Sequence, residues 1–435
     1  MPFKSELDLT IGVIGTNVPR SSPCITWKNG HKTVLPAVHN EFMLNLCDHV
    51  DIPLIRYMAQ LNTCESTSNN VLHLSGDTLQ NLDVMAIVSD ALSTNRCVKV
   101  TGVPYDKPQD DITTDYLDEH FSISPLRPVS IHDTEARYND HADPIVFGNI
   151  KSFIESINDP TKIQSILDIP LAQTALPKYL RQIHPQNFTS KGWGLLSHAG
   201  FLSYPHHDAE GTLTWIRIES GIKFWAIFHL KGGSSDRIQL QHLSVRLADY
   251  NTHKEWILNH CDGEVIALHP GDMLILPPGI VHAVYTPVPS FCTGGHFYNY
   301  SCMHLTELSR YVDAEVARTS TNQDMEHALE TLRRMVIALP YLSGRKVLHK
   351  RSLLSLCVMA TKRLHYRAQG GSNECVEETE TAKPCADIAD IAFKFLGVSN
   401  RKRPGDILYK GDQFDPGQVI DRVALLTQFK LKLDL

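Results

Sequence analysis

The chain has 435 residues, and 42% of them are hydrophobic, which is enough to build a sizeable core. Its formal net charge of −7, from 41 basic and 48 acidic residues, predicts no general attraction to nucleic acid or to an anionic membrane surface. No apolar run approaches the roughly 20 residues of a membrane-spanning helix, so we expect no membrane span.

The first part of the chain is uneven in composition. We interpret residues 1–76 as an N-terminal elaboration with some helix around 40–62. In the stretch 77–95, leucine, methionine and valine recur at steps of three and four residues. This spacing predicts an amphipathic helix, and Asp77 stands where a helix-capping residue is expected.

The region 77–192 is predicted to lead into a β-rich core. After its opening helix, CVKVTGV (97–103) has the character of a short buried strand that ends in turn residues. Further along, we expect helices at 150–157 and 161–184.

From 193 to 303 the sequence becomes β-rich. Short runs of β-branched and aromatic residues alternate with turn signals such as HPGD (269–272) and LPPG (276–279). This alternation predicts an antiparallel barrel or sandwich.

Residues 304–435 turn helical, so the whole chain is predicted to be of the α+β class. Between its helices, the polar stretch 369–384 is predicted to be a loop. The expected helices lie at 304–318, 323–339, 349–366, 385–396 and 417–431.

An H-x-D pattern, His206 and Asp208, stands within SYPHHDAEGTLTW (203–215). Residues two apart on a strand point to the same face, so both side chains can reach one ion while His207 points away. His282, on a later β-run that follows a tight turn, is the candidate third ligand. Two histidines and one carboxylate leave three adjacent coordination positions open, as in non-haem Fe(II) oxygenases.

The H-x-D pattern alone is a weak signal, because a chain with 22 histidines contains such patterns by chance. Its weight comes from the β-rich surroundings, the distal histidine and a cation, Lys223, on an apolar β-run where an unpaired ammonium is costly. We expect Lys223 to bind an anion, and the distal carboxylate of 2-oxoglutarate fits that requirement. The alternative is a strand-end lysine that extends to water.

Hydroxyl side chains near the pattern are candidates to assist this lysine. Ser203 is the candidate to donate to the same carboxylate, with Thr212 and Thr214 as alternative donors. The alternative for these residues is a role as strand formers.

Three stretches resemble a known family: LSHAGFLSYPHHDAEGTLTW, GIKFW and GDMLILPPGIVHAVYTPVPSFCTGGHFYNYS. Together they are similar to the catalytic core of JmjC-domain oxygenases. The resemblance covers roughly 193–315 and is closest to the histone lysine demethylases that carry F-box or PHD-finger modules. It implies a double-stranded β-helix, the cupin-like jelly-roll barrel, flanked by N-terminal and C-terminal helices.

Carried over by position, the resemblance implies that His206, Asp208 and His282 hold Fe(II). It implies that Lys223 and Ser203 bind the co-substrate 2-oxoglutarate, and that dioxygen is the second co-substrate. His296 falls where this branch has a polar residue near the pocket; the alternative is a strand histidine with satisfied hydrogen bonds.

The resemblance implies a dioxygenase that oxidises an N-methyl group, with a methylated protein such as a histone as its partner. Two alternatives stay open: hydroxylation of a protein side chain or a small molecule by the same chemistry, and a catalytically silent cupin-like module used for interaction. The cysteines include no C-x2-C pair, so we expect no zinc finger and no direct nucleic-acid module. The N-terminus lacks the layout of a secretion signal, and we expect a nuclear or cytoplasmic location.

Overall fold

The computed structural model shows an α+β fold in which two large β-sheets face each other and helices precede, interrupt and follow them along the chain. It describes residues 13–14, 23–104, 111–141, 143–171, 176–177, 179–182, 192–316, 328–342, 347–366 and 380–433.

The strands of the described residues concentrate between positions 60 and 300. In chain order they are β1 Val13–Ile14, β2 Cys24–Thr26, β3 Lys32–Val34, β4 Asn62–Thr63, β5 Val71–Ser75, β6 Cys97–Thr101, β7 Pro128–Asp133, β8 Ile145–Asn149, β9 Gln164–Pro170, β10 Gly192–Ser197, β11 Leu202–His206, β12 Leu213–Ser220, β13 Lys223–Leu230, β14 Cys261–Leu268, β15 Met273–Leu276, β16 Val281–Tyr285 and β17 Ser290–Phe297.

The α-helices fall mainly on either side of the β-rich segment. In chain order they are α1 Asp51–Met58, α2 Leu82–Ser93, α3 Thr114–Phe121, α4 Thr134–Asn139, α5 Ile150–Glu155, α6 Arg237–Ala248, α7 Tyr250–His260, α8 Met303–Val316, α9 Ala328–Ile337, α10 Lys350–Thr361, α11 Ala382–Phe395, α12 Pro404–Leu408 and α13 Arg422–Leu433. Among the described residues, no helix combines the length and the hydrophobicity that a membrane span requires.

The two large sheets pack face to face. One has the order β5-β6-β15-β12-β17-β10-β9-β7-β8 and the other β11-β16-β13-β14-β4. Side chains from both, such as Ile216 of the first and Val284 of the second, belong to one buried apolar cluster. The predicted α+β class is confirmed, but the sheets do not close into the expected barrel, because no described strand pairs from one large sheet to the other.

The predicted helix 77–95 is present in part. Strand β6 confirms the predicted strand at 97–103, but α2 begins at Leu82, and Asn81 caps it by accepting a hydrogen bond from the Asp83 amide at 2.9 Å. Asp77 instead lies in a 3₁₀ turn, so its predicted capping role is wrong. This turn is held close to the end of β6, since a Cβ at Gly76 would lie 2.3 Å from the carbonyl oxygen of Gly102.

The helix predicted at 161–184 is wrong over residues 164–170, and of its described residues only 180–182 are helical, in a short 3₁₀ turn. Residues 164–170 form strand β9, which pairs with β10 on one side and β7 on the other. The isoleucines at 163, 166 and 169 have a helix-like spacing, but tertiary pairing decides the outcome, and β-branched residues suit a strand. Helices α6 and α7, between β13 and β14, were not predicted.

The other predicted helices fare better. Helix α5 confirms the prediction at 150–157, and α1 lies in the second half of the stretch 40–62. The five C-terminal predictions match α8, α9, α10, α11 and α13. Residues 317–327 and 367–379, with most of the predicted loop 369–384, lie outside the described residues.

The C-terminal helices form their own apolar core, and one histidine is buried where this core meets α8. His304 is 1% exposed, and its two ring nitrogens lie 2.9 Å from the Ser352 hydroxyl oxygen and 3.2 Å from the carbonyl oxygen of Phe414. Burial lowers the pKa of His304 from its ordinary value of 6.5 to about 4. The imidazole is therefore neutral in the folded protein at pH 5, whereas in the unfolded chain it is protonated.

We expect this histidine to make the protein less stable in acid. Between pH 6.5 and pH 4 the unfolded chain binds the extra proton, so the free energy of unfolding should fall as the pH is lowered, by about 2 kcal/mol between pH 7 and pH 5. Urea unfolding of the wild type and of His304→Gln at both pH values measures this contribution, with the exposed His49→Gln as control. Equal pH dependence in the wild type and His304→Gln would contradict it.

Candidate metal centre

The three residues predicted as metal ligands lie close together in the structure. His206 ends β11, Asp208 follows it, and His282 lies on β16. Strands β11 and β16 are antiparallel neighbours whose register sets His206 directly opposite His282. One ligand atom from each residue lies within 4.8 Å of the others, and within the described residues no other group of three such side chains has this geometry.

Backbone carbonyl oxygens fix the orientation of the two imidazoles. The Nδ1 of His206 lies 2.6 Å from the Tyr204 carbonyl oxygen, and the Nδ1 of His282 lies 3.0 Å from that of Ile280. A carbonyl oxygen only accepts, so each Nδ1 carries the proton and each Nε2 has a free lone pair. Burial lowers the pKa of both rings, and burial together with the nearby His206 lowers that of His282 to about 4.

The carboxyl of Asp208 is held in its ionised form. Burial opposes ionisation, but the neighbouring His282, His296 and His206 and a hydrogen bond from the Thr214 hydroxyl outweigh it and lower the pKa of Asp208 to about 2. Thr214 donates to the Oδ2 atom of Asp208. At neutral pH the site therefore presents one carboxylate and two neutral imidazoles, the protonation states that a divalent metal needs.

A cavity of about 400 Å³ adjoins these ligands. Its walls come from both sheets and include Ser203, Lys223 and Trp225 as well as the three ligands. The indole of Trp225 stacks on the His282 ring, with ring centroids 4.9 Å apart. The cavity is large enough for a small dicarboxylate beside the ligands, with room for part of a larger substrate.

Lys223 lies at the start of β13 and is 4% exposed. Its Nζ donates to the Ser197 hydroxyl oxygen at 3.0 Å and to that of Thr286 at 2.9 Å, and the structure shows no ion pair for it among the described residues. Burial lowers the pKa of Lys223, because the charged form loses hydration in this position. An anion in the cavity would offset that loss, which fits the predicted role in binding a carboxylate.

The remaining predicted residues differ in whether they line the cavity. Ser203 lines the cavity, as predicted for a residue that helps Lys223. Thr212 is not among the lining residues; its hydroxyl donates to the Ala209 carbonyl oxygen at 3.1 Å. Its alternative Thr214 does line the cavity, and so does His296, whose Nδ1 lies 2.9 Å from the Thr214 hydroxyl oxygen.

Sequence reasoning missed three residues that support the site: Ser197, Thr286 and Trp225. The two hydroxyls that hold Lys223 come from β10 and from the residue after β16, and no local pattern marks them. Trp225 stands two residues after Lys223, so the period of two along a strand was the available signal that both face the same cavity.

The fold and the site define a class: an α+β protein with facing sheets that carry two histidines and a carboxylate beside a cavity, as expected of a cupin-like jelly roll.

Comparison with curated proteins identifies three relatives, each a JmjC domain-containing histone demethylation protein 1. The Caenorhabditis briggsae protein is 30% identical over 118 residues, which are 27% of this chain and 10% of that protein. The Caenorhabditis elegans protein is 30% identical over 109 residues, 25% of this chain and 10% of that protein.

The Saccharomyces cerevisiae protein is 34% identical over 97 residues, which are 21% of this chain and 18% of that protein. No protein-family model matches the chain. These relatives support membership of the JmjC family, which the sequence predicted. The matched stretches span less than a fifth of the length of each relative.

We expect Thr214→Val to weaken metal binding. The variant keeps the shape of the side chain but removes the donor to Asp208, so the pKa of that carboxyl rises and Mn(II) affinity falls by roughly tenfold. Calorimetric titration of the metal-free protein with Mn(II) measures the change. Thr212→Val is the matched control, because its hydroxyl contacts none of the three ligands in the structure. Equal affinities in the two variants would argue against this role of Thr214.

Proposed function

We propose that the chain is an Fe(II)- and 2-oxoglutarate-dependent dioxygenase of the JmjC type. The observation that supports this best is the position of the His206, Asp208 and His282 triad in one wall of a cavity that also contains the buried cation Lys223. When bound, ferrous iron supplies dioxygen activation coupled to the oxidative decarboxylation of 2-oxoglutarate and the hydroxylation of a substrate C–H bond.

The protein's own groups would prepare the site for this chemistry. The Nε2 atoms of His206 and His282 and the carboxylate of Asp208 would hold the metal, and a set of three such ligands leaves adjacent positions for a chelating oxo acid and dioxygen. Lys223 would bind the distal carboxylate of the oxo acid, with the Ser197 and Thr286 hydroxyls fixing the ammonium group.

The walls of the cavity would also limit access of water. Indole and phenol groups line it, including Trp193, Tyr204 and Trp225, and Trp225 is 5% exposed. A largely apolar lining strengthens the interaction between Lys223 and a bound carboxylate, because fewer water molecules screen it.

We propose an N-methyl group on a protein lysine as the substrate group, and a nuclear location accordingly. The support is the name of the three relatives, which describes them as histone demethylation proteins. Hydroxylation of an N-methyl carbon gives a hemiaminal, which breaks its C–N bond to release formaldehyde and the demethylated amine. A side-chain carbon would instead keep its hydroxyl group, and formaldehyde would not form.

The proposal is tested by incubating the full chain with Fe(II), 2-oxoglutarate and a panel of methyl-lysine peptides while succinate and formaldehyde are measured. We expect both products in equal amounts with the wild type, and neither with Asp208→Ala, which lacks the anionic ligand. Succinate without formaldehyde would indicate a hydroxylase. Equal succinate formation by the wild type and Asp208→Ala, or none by either protein, would overturn the dioxygenase assignment.

We expect Lys223→Met to raise the KM for 2-oxoglutarate by tenfold or more. The loss of one charge-assisted hydrogen bond is worth about 1.5–3 kcal/mol, and 1.4 kcal/mol corresponds to a factor of about ten. Succinate release at varied 2-oxoglutarate concentration measures the KM. Lys231→Met, at the exposed position that follows the same strand, is the matched control. An unchanged KM in Lys223→Met would reject the role of this lysine.

A further inference from the structure

Helix α8, the first helix of the C-terminal region, runs along the segment 207–211 that carries the Asp208 ligand. Three residues of the helix contact this segment. The Thr306 hydroxyl donates to the Gly211 carbonyl oxygen at 2.8 Å. The Nε of Arg310 lies 3.5 Å from a carboxylate oxygen of Glu210.

The third contact reaches the residue between two proposed ligands. The Nε2 of His207 donates to the Oδ1 of Asp313 at 2.6 Å, and the His207 side chain is 1% exposed. Thr306, Arg310 and Asp313 are spaced by four and three residues, so they lie on one face of the helix. The segment and the helix run in opposite directions, and each of these helix residues meets a different residue of the segment.

The backbone of this segment has an uncommon conformation where it lies against the helix. Glu210 has a φ of 59°, a left-handed conformation that non-glycine residues rarely adopt. Gly211 also has a positive φ, and a Cβ there would lie 2.5 Å from the Thr306 carbonyl oxygen. Only glycine therefore permits the helix to approach this closely.

The contact with His207 has a geometric consequence for its neighbours. Along an extended chain, successive side chains alternate in direction, so a side chain fixed on one face fixes the two beside it on the other. The hydrogen bond to Asp313 fixes the His207 side chain on the face toward α8. The side chains of His206 and Asp208 then lie on the other face, where they meet His282.

We infer that α8 is a positioning element of the metal centre: its Asp313, through His207, aligns His206 and Asp208, so the C-terminal region sets the metal affinity of a site built on the sheets. This inference rests on the proposed metal site. Asp313 and His207 are neither predicted ligands nor among the residues that line the cavity, so they are positioning residues.

The test is a titration of the metal-free full chain with Co(II), whose visible absorption spectrum reports the arrangement of the ligands. We expect Asp313→Ala to raise the Kd for Co(II) about tenfold, in the range found for residues that orient metal ligands, and to shift the absorption band. Asp313→Asn keeps an oxygen that accepts from His207, so it should recover most of the affinity. Glu315→Gln, an exposed carboxylate on the same helix, is the matched control and should bind like the wild type.

A purely stabilising role would give a different result. Asp313→Ala would then lower the thermal unfolding midpoint, but the folded protein would bind Co(II) with wild-type Kd and spectrum, and this outcome overturns the inference. In the double variant with His207→Ala we expect the two effects on Kd to be non-additive, and simple additivity would also overturn it.

His282→Ala separates this inference from the proposed function. If the wild type binds Co(II) and His282→Ala does not, the metal site stands, and the Asp313 variants decide on the helix alone. If the wild type and His282→Ala bind equally, the proposed metal site is overturned and the inference falls with it.

Discussion

The antiparallel register of β11 and β16 is the constraint on which the candidate site depends. It sets His206 and His282 opposite each other on neighbouring strands, although they are far apart in sequence. A shift of one residue would turn one imidazole to the other face of the sheet, so the register decides whether these side chains meet. The carbonyl oxygens of Tyr204 and Ile280, two residues before each histidine, then orient the rings.

Around this pair, burial and nearby charges together set the protonation states of the groups that face the cavity. Burial favours the neutral imidazoles that a metal requires, whereas nearby histidines and the Thr214 hydroxyl keep Asp208 ionised despite its burial. The buried Lys223 ammonium donates hydrogen bonds to two hydroxyl groups in place of water. A metal would pair with the Asp208 carboxylate, and a dicarboxylate would pair with the Lys223 ammonium. For this reason we propose 2-oxoglutarate chemistry rather than a structural metal.

The C-terminal helices are connected to the centre as well as to one another. Helix α8 contributes His304 to the C-terminal core and Asp313 to the segment that follows β11, so one rigid element joins the two parts. Arg237 of α6 forms a second link, a buried ion pair with Glu307 of α8. The segment that carries Asp208 is therefore linked through α8 to the core of the C-terminal helices.

The sequence by itself determined the candidate ligands and the candidate cation of the site. The spacing of His206 and Asp208, the distal His282 and the cation Lys223 all follow from residue type and strand periodicity, which are local properties. The C-terminal helices were also predictable, because their apolar residues repeat at helical spacing over long stretches. Among the described residues, predictions failed where local propensity was ambiguous, as in the isoleucine-containing segment that became β9.

Only the tertiary structure decided which distant residues support these groups. Ser197 and Thr286 reach Lys223 from two separate places in the sheets, and Asp313 reaches His207 from a helix beyond the sheets. Thr214 lines the cavity, whereas Thr212 is not among the lining residues. The lack of strand pairing between the two large sheets, among the described residues, was likewise not predictable from any one segment. Strand pairing and helix packing join residues far apart in the chain, and a local sequence pattern carries no information about such partners.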